Sequence, residues 1–572
     1  MSVAQRIAME RTRRGMSAPS EVTDVMEVMA EDSAPALPGS LPPDIAPDPQ
    51  QVAALKAQAG SSGKPDKAVP SAKAGTVIAA MDFRINQYGR LVYFHSTPHG
   101  KCEVIDADAP AALDYIALEV AKATGTAPSH EVLKREIGPI RARCREEGRK
   151  VYVHNRIAPD GNGGYIVDLG NNSGEVVHVT AVGWTKRANA SIAFRRGGGY
   201  GELHVPPQQE TPQAAWDRVA GWLVSAGVKA ETAPIAAVLL CEWLRSDTPN
   251  PIAEIIGAAG SGKTTLASHL AATVDPTAAG SLPSTKLQES DVAAAASNRY
   301  VIGYDNAGGP LVDAEQDLCC KVATGTVFAA RLLYTQGEEF QIEARAPIII
   351  TAIVPVITRA DARSRTVRIT VSRRKEFAGA GDVESAFKGQ RAELTGGLLT
   401  LLSAGLAGLP AARALTYTHR LVDFEQLGEA ITAAVGWQPG QFQEAMRKHR
   451  REAAEEQAEI SPIVVAVREA IAYFGAKAQP GIGTPPVMTW AARQGYAYTT
   501  PSNERRVGVM LKELRSRART DLGALAYSSE RATRNALEAQ APTLAALGIT
   551  YGVSKTRDGT LLEFRQTEWP QV

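Results

Sequence analysis

The residues best suited to do chemistry in this chain are Gly257-Ala258-Ala259-Gly260-Ser261-Gly262-Lys263-Thr264, which fit the pattern GxxxxGK[ST] in full. Apolar Ile255-Ile256 precede the run, and Thr265 and Leu266-Ala267-Ser268-His269-Leu270-Ala271-Ala272 follow it as a predicted helix. Phosphate binding asks for this order. Gly257, Gly260 and Gly262 let successive backbone N–H groups close around phosphate oxygens, and the start of the following helix adds a favourable dipole. Ser261 and Thr265 complete the cradle, Lys263 reaches the β- and γ-phosphates, and the Thr264 hydroxyl is a ligand for Mg²⁺. ATP with Mg²⁺ is the expected occupant. A partner carboxylate should end a second buried strand. Arg299-Tyr300-Val301-Ile302-Gly303-Tyr304-Asp305-Asn306 supplies one, with Asp305 lying 42 residues after Lys263. Asp305 is expected to hold the metal through water and to orient the attacking water. The competing reading is a strand-end aspartate capping a turn.

These groups need a scaffold. Between Pro212 and about Ala404, helical stretches (214–226 and 233–244) lead into short apolar runs at 251–256, 300–304, 346–350 and 366–371. Short buried strands alternating with helices predict an α/β fold with a parallel sheet flanked by helices. Residues 1–75 are rich in Pro, Ala, Ser and Gly and are expected to form a disordered tail. Residues 76–205 mix helical periods with short strands, including a hairpin over 165–169 and 176–179, and are expected to be a small α+β domain. The core is drawn at 206–380, a helical segment at 381–460 and a C-terminal domain at 461–572. In that last part, Ser461-Pro462 opens a helix. Val507, Met510, Leu511 and Leu514 predict a second helix over about 503–519, and a third is expected over about 529–547. Arg557-Asp558-Gly559-Thr560 signals a terminal hairpin, so the domain is read as winged-helix-like.

Several of these motifs together resemble a known family. Asp275-Pro276, Leu282-Pro283, the run from Asp291 to Asp305-Asn306, Leu318-Cys319-Cys320-Lys321-Val322-Ala323-Thr324-Gly325 and Phe328–Thr335 resemble AAA+ ATPases of phages and mobile genetic elements related to superfamily 3 helicases. Ile166-Val167-Asp168-Leu169-Gly170 and Phe194-Arg195-Arg196 match more weakly. The resemblance implies a P-loop AAA+ core, a homo-oligomeric ring (a hexamer), hydrolysis of ATP between subunits, and movement on DNA that serves replication with other replication proteins. It further implies that Phe328–Glu343 is the hairpin before the sensor strand and that Thr351 ends that strand, where relatives place asparagine. Arg365, with Arg363 as second choice, would reach the neighbouring subunit's ATP, unless these arginines simply pair with Asp361. The chain departs from the family at Asn306, where a glutamate is usual: an amide positions water but cannot accept its proton. It departs again at the hairpin tip Thr335-Gln336-Gly337-Glu338-Glu339, whose acidic groups repel phosphate.

Composition narrows the remaining possibilities. With 62 Lys and Arg against 61 Asp and Glu, the net charge is +1, so contact with DNA must come from local clusters. Arg447-Lys448-His449-Arg450-Arg451 is flanked by Glu452, Glu455 and Glu456 and reads more as a solvated helix face than as a DNA site. Arg505, Arg506, Lys512, Arg515, Arg517 and Arg519, with Lys555 and Arg557, form a possible DNA-reading set against plain solubility. Five cysteines without CxxC spacing fit a reducing, cytoplasmic setting and argue against a zinc ribbon. No apolar run is read as reaching the length of a membrane span, and His95, His99, His154 and His178 show no ligand spacing. The leading expectation is an ATP-hydrolysing, DNA-dependent motor. The alternative is a nucleotide-dependent assembly switch with little or no unwinding.

Overall fold

The structure, a computed structural model, describes residues 71–96, 102–107, 109–189, 192–196, 199–331, 339–372, 379–475, 495–499, 505–519, 525–557 and 559–566. Its centre is a four-stranded parallel sheet. The strands are a loop strand (Ile252–Ile256), a carboxylate strand (Ile302–Ala307), a threonine strand (Ile348–Ala352) and an arginine strand (Thr366–Thr370). Their spatial order is carboxylate, threonine, loop, arginine. All five residues of the loop strand and of the threonine strand are buried, as a sheet covered on both faces requires. Ala253, Ile255, Ile349, Val367 and Ile369 face one hydrophobic cluster, built with helices Pro212–Ser225, Ala233–Glu242, Lys263–Ala272 and Ala380–Ala412. Ile252, Ile302, Ile348 and Ile350 face a second cluster, shared with helices Glu289–Asn298 and Asp313–Thr324. The expected parallel sheet between two helical layers is therefore observed.

The N-terminal part does not pack around a single core. Residues 71–144 pack around Phe83, Ile116, Leu133 and Cys144, beneath a sheet of strands Phe83–Ile85, Leu91–Ser96, Cys102–Asp106, Ala193–Arg195 and Val153–His154. Helix Ser71–Ala80 begins this unit five residues before the patterning read from sequence. The antiparallel meander of Ile157–Pro159, Tyr165–Asp168, Glu175–Thr180 and Gly183–Ala188 instead buries Tyr165, Val177 and Trp184 in the cluster beside the parallel sheet. Trp184 Nε1 donates to Thr400 Oγ1 at 3.0 Å, and Ser403 Oγ donates to the Thr180 carbonyl at 2.6 Å.

Two sequence expectations need correction in the C-terminal part. Residues 505–510 form a strand, not the first half of a helix, and the helix runs only from Leu511 to Arg517. Val507 and Val509 alternate inward at 0% exposure around Gly508, so β-branched side chains with a period of two outweigh the helical spacing. The expected helix over 529–547 divides into Glu530–Ala539 and Ala541–Ala546, with a proline in the first turn of the second. The terminal hairpin is present as strands Ile549–Thr556 and Gly559–Gln566, in an antiparallel sheet with Gly495–Thr499 and Arg505–Met510.

The 33-residue helix Ala380–Ala412 also departs from expectation, because it contains an apolar window long enough to cross a membrane. That window is 72% buried within the protein. It is a core helix, gripped by Val422–Ala434, where a Cβ on Gly405 would approach Leu427 Cδ1 to 2.7 Å.

Candidate nucleotide site at the end of the parallel sheet

The glycine-rich loop leaves the loop strand under tight steric control. A Cβ on Gly257 would lie 2.6 Å from the Val371 carbonyl oxygen and 2.8 Å from Ser261 Oγ, so only glycine fits. Gly260 (φ +74°) and Gly262 (φ +89°) turn through the left-handed region, and Gly262 directly precedes helix Lys263–Ala272. Ser261 is fully buried and its Oγ has no hydrogen-bond partner. Lys263 is 9% exposed, and its Nζ donates to the carbonyls of Gly257 at 2.8 Å and Ala258 at 2.9 Å. The ammonium thus bends back over its own loop.

Three of the residues singled out in the sequence meet around one carboxylate oxygen. Asp305 Oδ1 accepts from Thr264 Oγ1 at 2.9 Å and from Thr351 Oγ1 at 2.6 Å. Thr351 Oγ1 in turn accepts from the Asn306 backbone N–H at 2.8 Å. The local backbone explains the geometry. Tyr304 pairs with Ile350 and Ala307 with Ala352, so Asp305 and Asn306 together oppose Thr351 in a bulge. Asn306 sits at φ +57°, a conformation asparagine tolerates better than most residues. Ser284, which the sequence reading did not single out, accepts the Asp305 backbone N–H at 3.0 Å through its Oγ. It directly follows the family-matching pair Leu282-Pro283, but a lone serine carries no spacing that marks it.

The donor set suits a magnesium-bound triphosphate. A hard divalent cation that keeps several waters needs only one or two oxygen ligands from protein, and the Thr264 hydroxyl and the Asp305 carboxylate are adjacent. Among the described residues no group of three or more His, Cys, Asp or Glu is arranged to hold a metal by itself. The glycine cradle, the orphaned Ser261 hydroxyl and the folded-back Lys263 are consistent with phosphate oxygens as the missing partners.

Other candidates lie elsewhere. Arg365 stands at the opposite end of the sheet from the loop, its carbonyl accepting the Ile252 N–H at 2.9 Å. Its Nη1 donates to the Asp361 carbonyl at 2.7 Å, while the Asp361 carboxylate pairs with Arg359. Arg363 turns away and donates to Gln540 Oε1 at 3.1 Å. The hairpin before the threonine strand is present as Thr326–Arg331 and Glu339–Ala344. Its tip through Glu338, and the side chain of Glu339, lie outside the described residues.

The sequence reading missed the buried ion pairs. Glu254, in the middle of the loop strand and 0% exposed, accepts from the N–H groups of Val356 at 2.7 Å and Ile357 at 2.9 Å. It also pairs with Arg368 at 2.8 Å, its register partner on the arginine strand. A glutamate inside an all-buried strand requires a cationic partner, and that was the available signal. Two family-matching acids prove structural. Asp168 pairs with Arg196 at 2.7 Å, and Asp275 joins Arg156 at 2.9 Å and accepts the N–H of Tyr300. Basic groups of both the run read as a solvated face and the set read for DNA have partners within the chain. Arg447, Lys448 and Arg451 pair with glutamates on their own helix, Arg506 pairs with Glu563, and Arg515 donates to the carbonyls of Tyr527 and Ser528. His178 bonds to Asp160, and burial lowers His154 to about 4.

No curated protein sequence matches the chain. Among solved structures it is similar to SCCmec type IV Cch, titled an active helicase, at 12% identity over 83% of this chain and 90% of that one, with a TM-score of 0.40. The apo C-terminal region of NrS-1 gives 10% identity over 85% and 96% of the two chains, with a TM-score of 0.37. JCV helicase gives 12% over 40% and 63%, with a TM-score of 0.20. Residues 218–447, which hold the loop, the parallel sheet and the helices that cover it, match the family described as the actinomycete integrative conjugative element replication protein, and this part of the chain is similar to replication proteins of such mobile elements.

Proposed function

We propose that the chain is an ATP-hydrolysing AAA+ motor that acts on DNA during replication of a mobile element. The observation that carries this is the meeting of Thr264, Thr351 and Asp305 beside a glycine cradle, inside the span similar to replication proteins. In this reading residues 206–380 form the AAA+ core, 461–572 a winged-helix-like domain, and copies of the chain assemble into a ring, a hexamer, in the cytoplasm with DNA and other replication proteins. Bound ATP with Mg²⁺ supplies a phosphoryl group that passes to water. Lys263 exchanges the Gly257 and Ala258 carbonyls for phosphate oxygens, and the loop N–H groups take the remaining charge. Thr264 and Asp305 orient the cation, while Thr351 fixes both the Asp305 carboxylate and the Asn306 backbone. Asn306 holds the attacking water without taking its proton, which predicts slow turnover. Arg365, distant from its own loop, stabilises charge on the phosphoryl group bound by the neighbouring copy.

A second reading is supported by Asn306 and by the internal pairing of the basic clusters: ATP would switch assembly without sustained translocation. One set of measurements separates the two. DNA-stimulated ATP hydrolysis with unwinding of a forked duplex supports the motor. Nucleotide binding and ring formation without either activity would replace it with the switch, and no uptake of ATP would remove both.

A further inference from the structure

Away from the phosphate loop, a second cavity of about 630 Å³ opens between the arginine strand, the turn 360–366, helix Gln441–Ile460 and Thr543 of the C-terminal part. Its size falls in the range of small-molecule sites. Cations predominate in its wall: Arg363, Arg368, Arg447, Lys448, Arg450 and Arg451 stand against the carboxylates of Glu254 and Glu444. Two buried polar nitrogens there lack partners. His449 is 8% exposed and its Nε2 makes no hydrogen bond. The Nη2 of Arg363 is likewise unpartnered, although its Nη1 reaches Gln540. A buried polar group without a partner costs about 1–3 kcal/mol, so two in one cavity mark a place where acceptor oxygens are missing.

We propose that this cavity is a second anion site, taking a phosphate-bearing small molecule of nucleotide size, separate from the loop at 257–264. Arg363 and His449 form its floor and bond phosphoryl oxygens directly. Arg447, Lys448 and Arg451 form its rim. Their present partners, Glu444, Glu452 and Glu455, lie one helical turn away on an exposed face, and such pairs are weak enough to be exchanged for an anion. Arg368 stays with Glu254 and Glu456, and Arg450 with Glu425, so Arg363 is the floor charge left for an anion. Burial, with Arg368, Arg450 and Lys229 nearby, lowers His449 to about 4, so at neutral pH the ring is uncharged, with one N–H to donate. Burial lowers Arg363 only to about 10, so its charge remains.

The test uses the full chain carrying Lys263→Ala, which disables the phosphate loop, titrated by calorimetry with inorganic pyrophosphate and with ADP. Binding of either probe is expected to persist in this background. It should weaken at least about tenfold on adding Arg363→Gln or His449→Leu, and about two- to fivefold on adding Arg447→Ala, which alters only the exposed rim. Equal binding of the two probes assigns recognition to the phosphates, and tighter ADP assigns it to a nucleotide; both support the site. Thermal melts establish that each variant is folded, and the rim variant decides the matter if the floor variants are not. No heat with either probe, or affinity unmoved by all three changes, would overturn the proposal. So would binding confined to a single-stranded oligonucleotide, which would make the cavity a nucleic-acid contact.

Discussion

The loop at 257–264 and the cavity beneath helix Gln441–Ile460 are two cationic hollows built against the same parallel sheet, by opposite means. At the loop, the donors are backbone N–H groups and one lysine supplied by eight consecutive residues, and Asp305 arrives from the bulged strand two places away. At the cavity, every donor is a side chain, drawn from segments almost ninety positions apart, and its base is held by the buried pair Glu254–Arg368. The loop needs only local backbone geometry. The cavity needs the tertiary fold first, so a change in its supporting residues should be felt as stability before it is felt as activity.

The largest effect should come at the loop. Lys263→Ala removes the charge partner of the phosphates, and ATP turnover is expected to fall by more than about 10³-fold while the melting curve stays near that of the parent. A variant with normal turnover would break the comparison at its first term. Arg365→Ala should leave nucleotide affinity within roughly threefold yet lower turnover by about 10³-fold, because its role lies in the neighbouring copy's reaction. Mixing inactive Lys263→Ala with inactive Arg365→Ala protein should restore part of the rate, and failure to do so would misassign the arginine.

On the cavity side, Glu254→Ala should cost about 3–5 kcal/mol in denaturant unfolding, since Arg368 and the N–H groups of Val356 and Ile357 lose their acceptor together. Glu254→Gln, which keeps an acceptor oxygen, should cost less; equal losses would show that the two amides contribute nothing.

The smallest effect is acid sensitivity. His449 is held near 4 in the folded protein against an ordinary 6.5, so between those values the unfolded chain binds the extra proton. Its stabilising contribution is fully present above about pH 6.5 and is lost as pH falls through 4, up to about 3 kcal/mol. His449→Leu should flatten the wild-type slope across that window, and an unchanged slope would assign it to other groups.

The two regions also differ in what could be read beforehand. The parallel strands were legible because each is a short apolar run bounded by polar residues, and the loop was legible because its glycines and lysine are consecutive. Strand 505–510 was not, because Val507, Met510, Leu511 and Leu514 satisfy helical spacing while Val507 and Val509 also satisfy strand spacing, and the neighbouring strand Gly559–Gln566 decides between them. The basic run 447–451 was legible as a solvated face, and its glutamate pairs bear that reading out. His449, in the middle of that run, is instead buried.

By itself, the order of residues determined the strand–loop–helix at 252–272, since φ preferences and apolar patterning act within a few residues of one another. Only the tertiary structure decided that Thr264, Thr351 and Asp305 share one oxygen, that Glu254 meets Arg368, and that Arg363 and His449 face a common space. Those juxtapositions depend on strand register and helix packing between segments far apart in the chain, and no local preference encodes them.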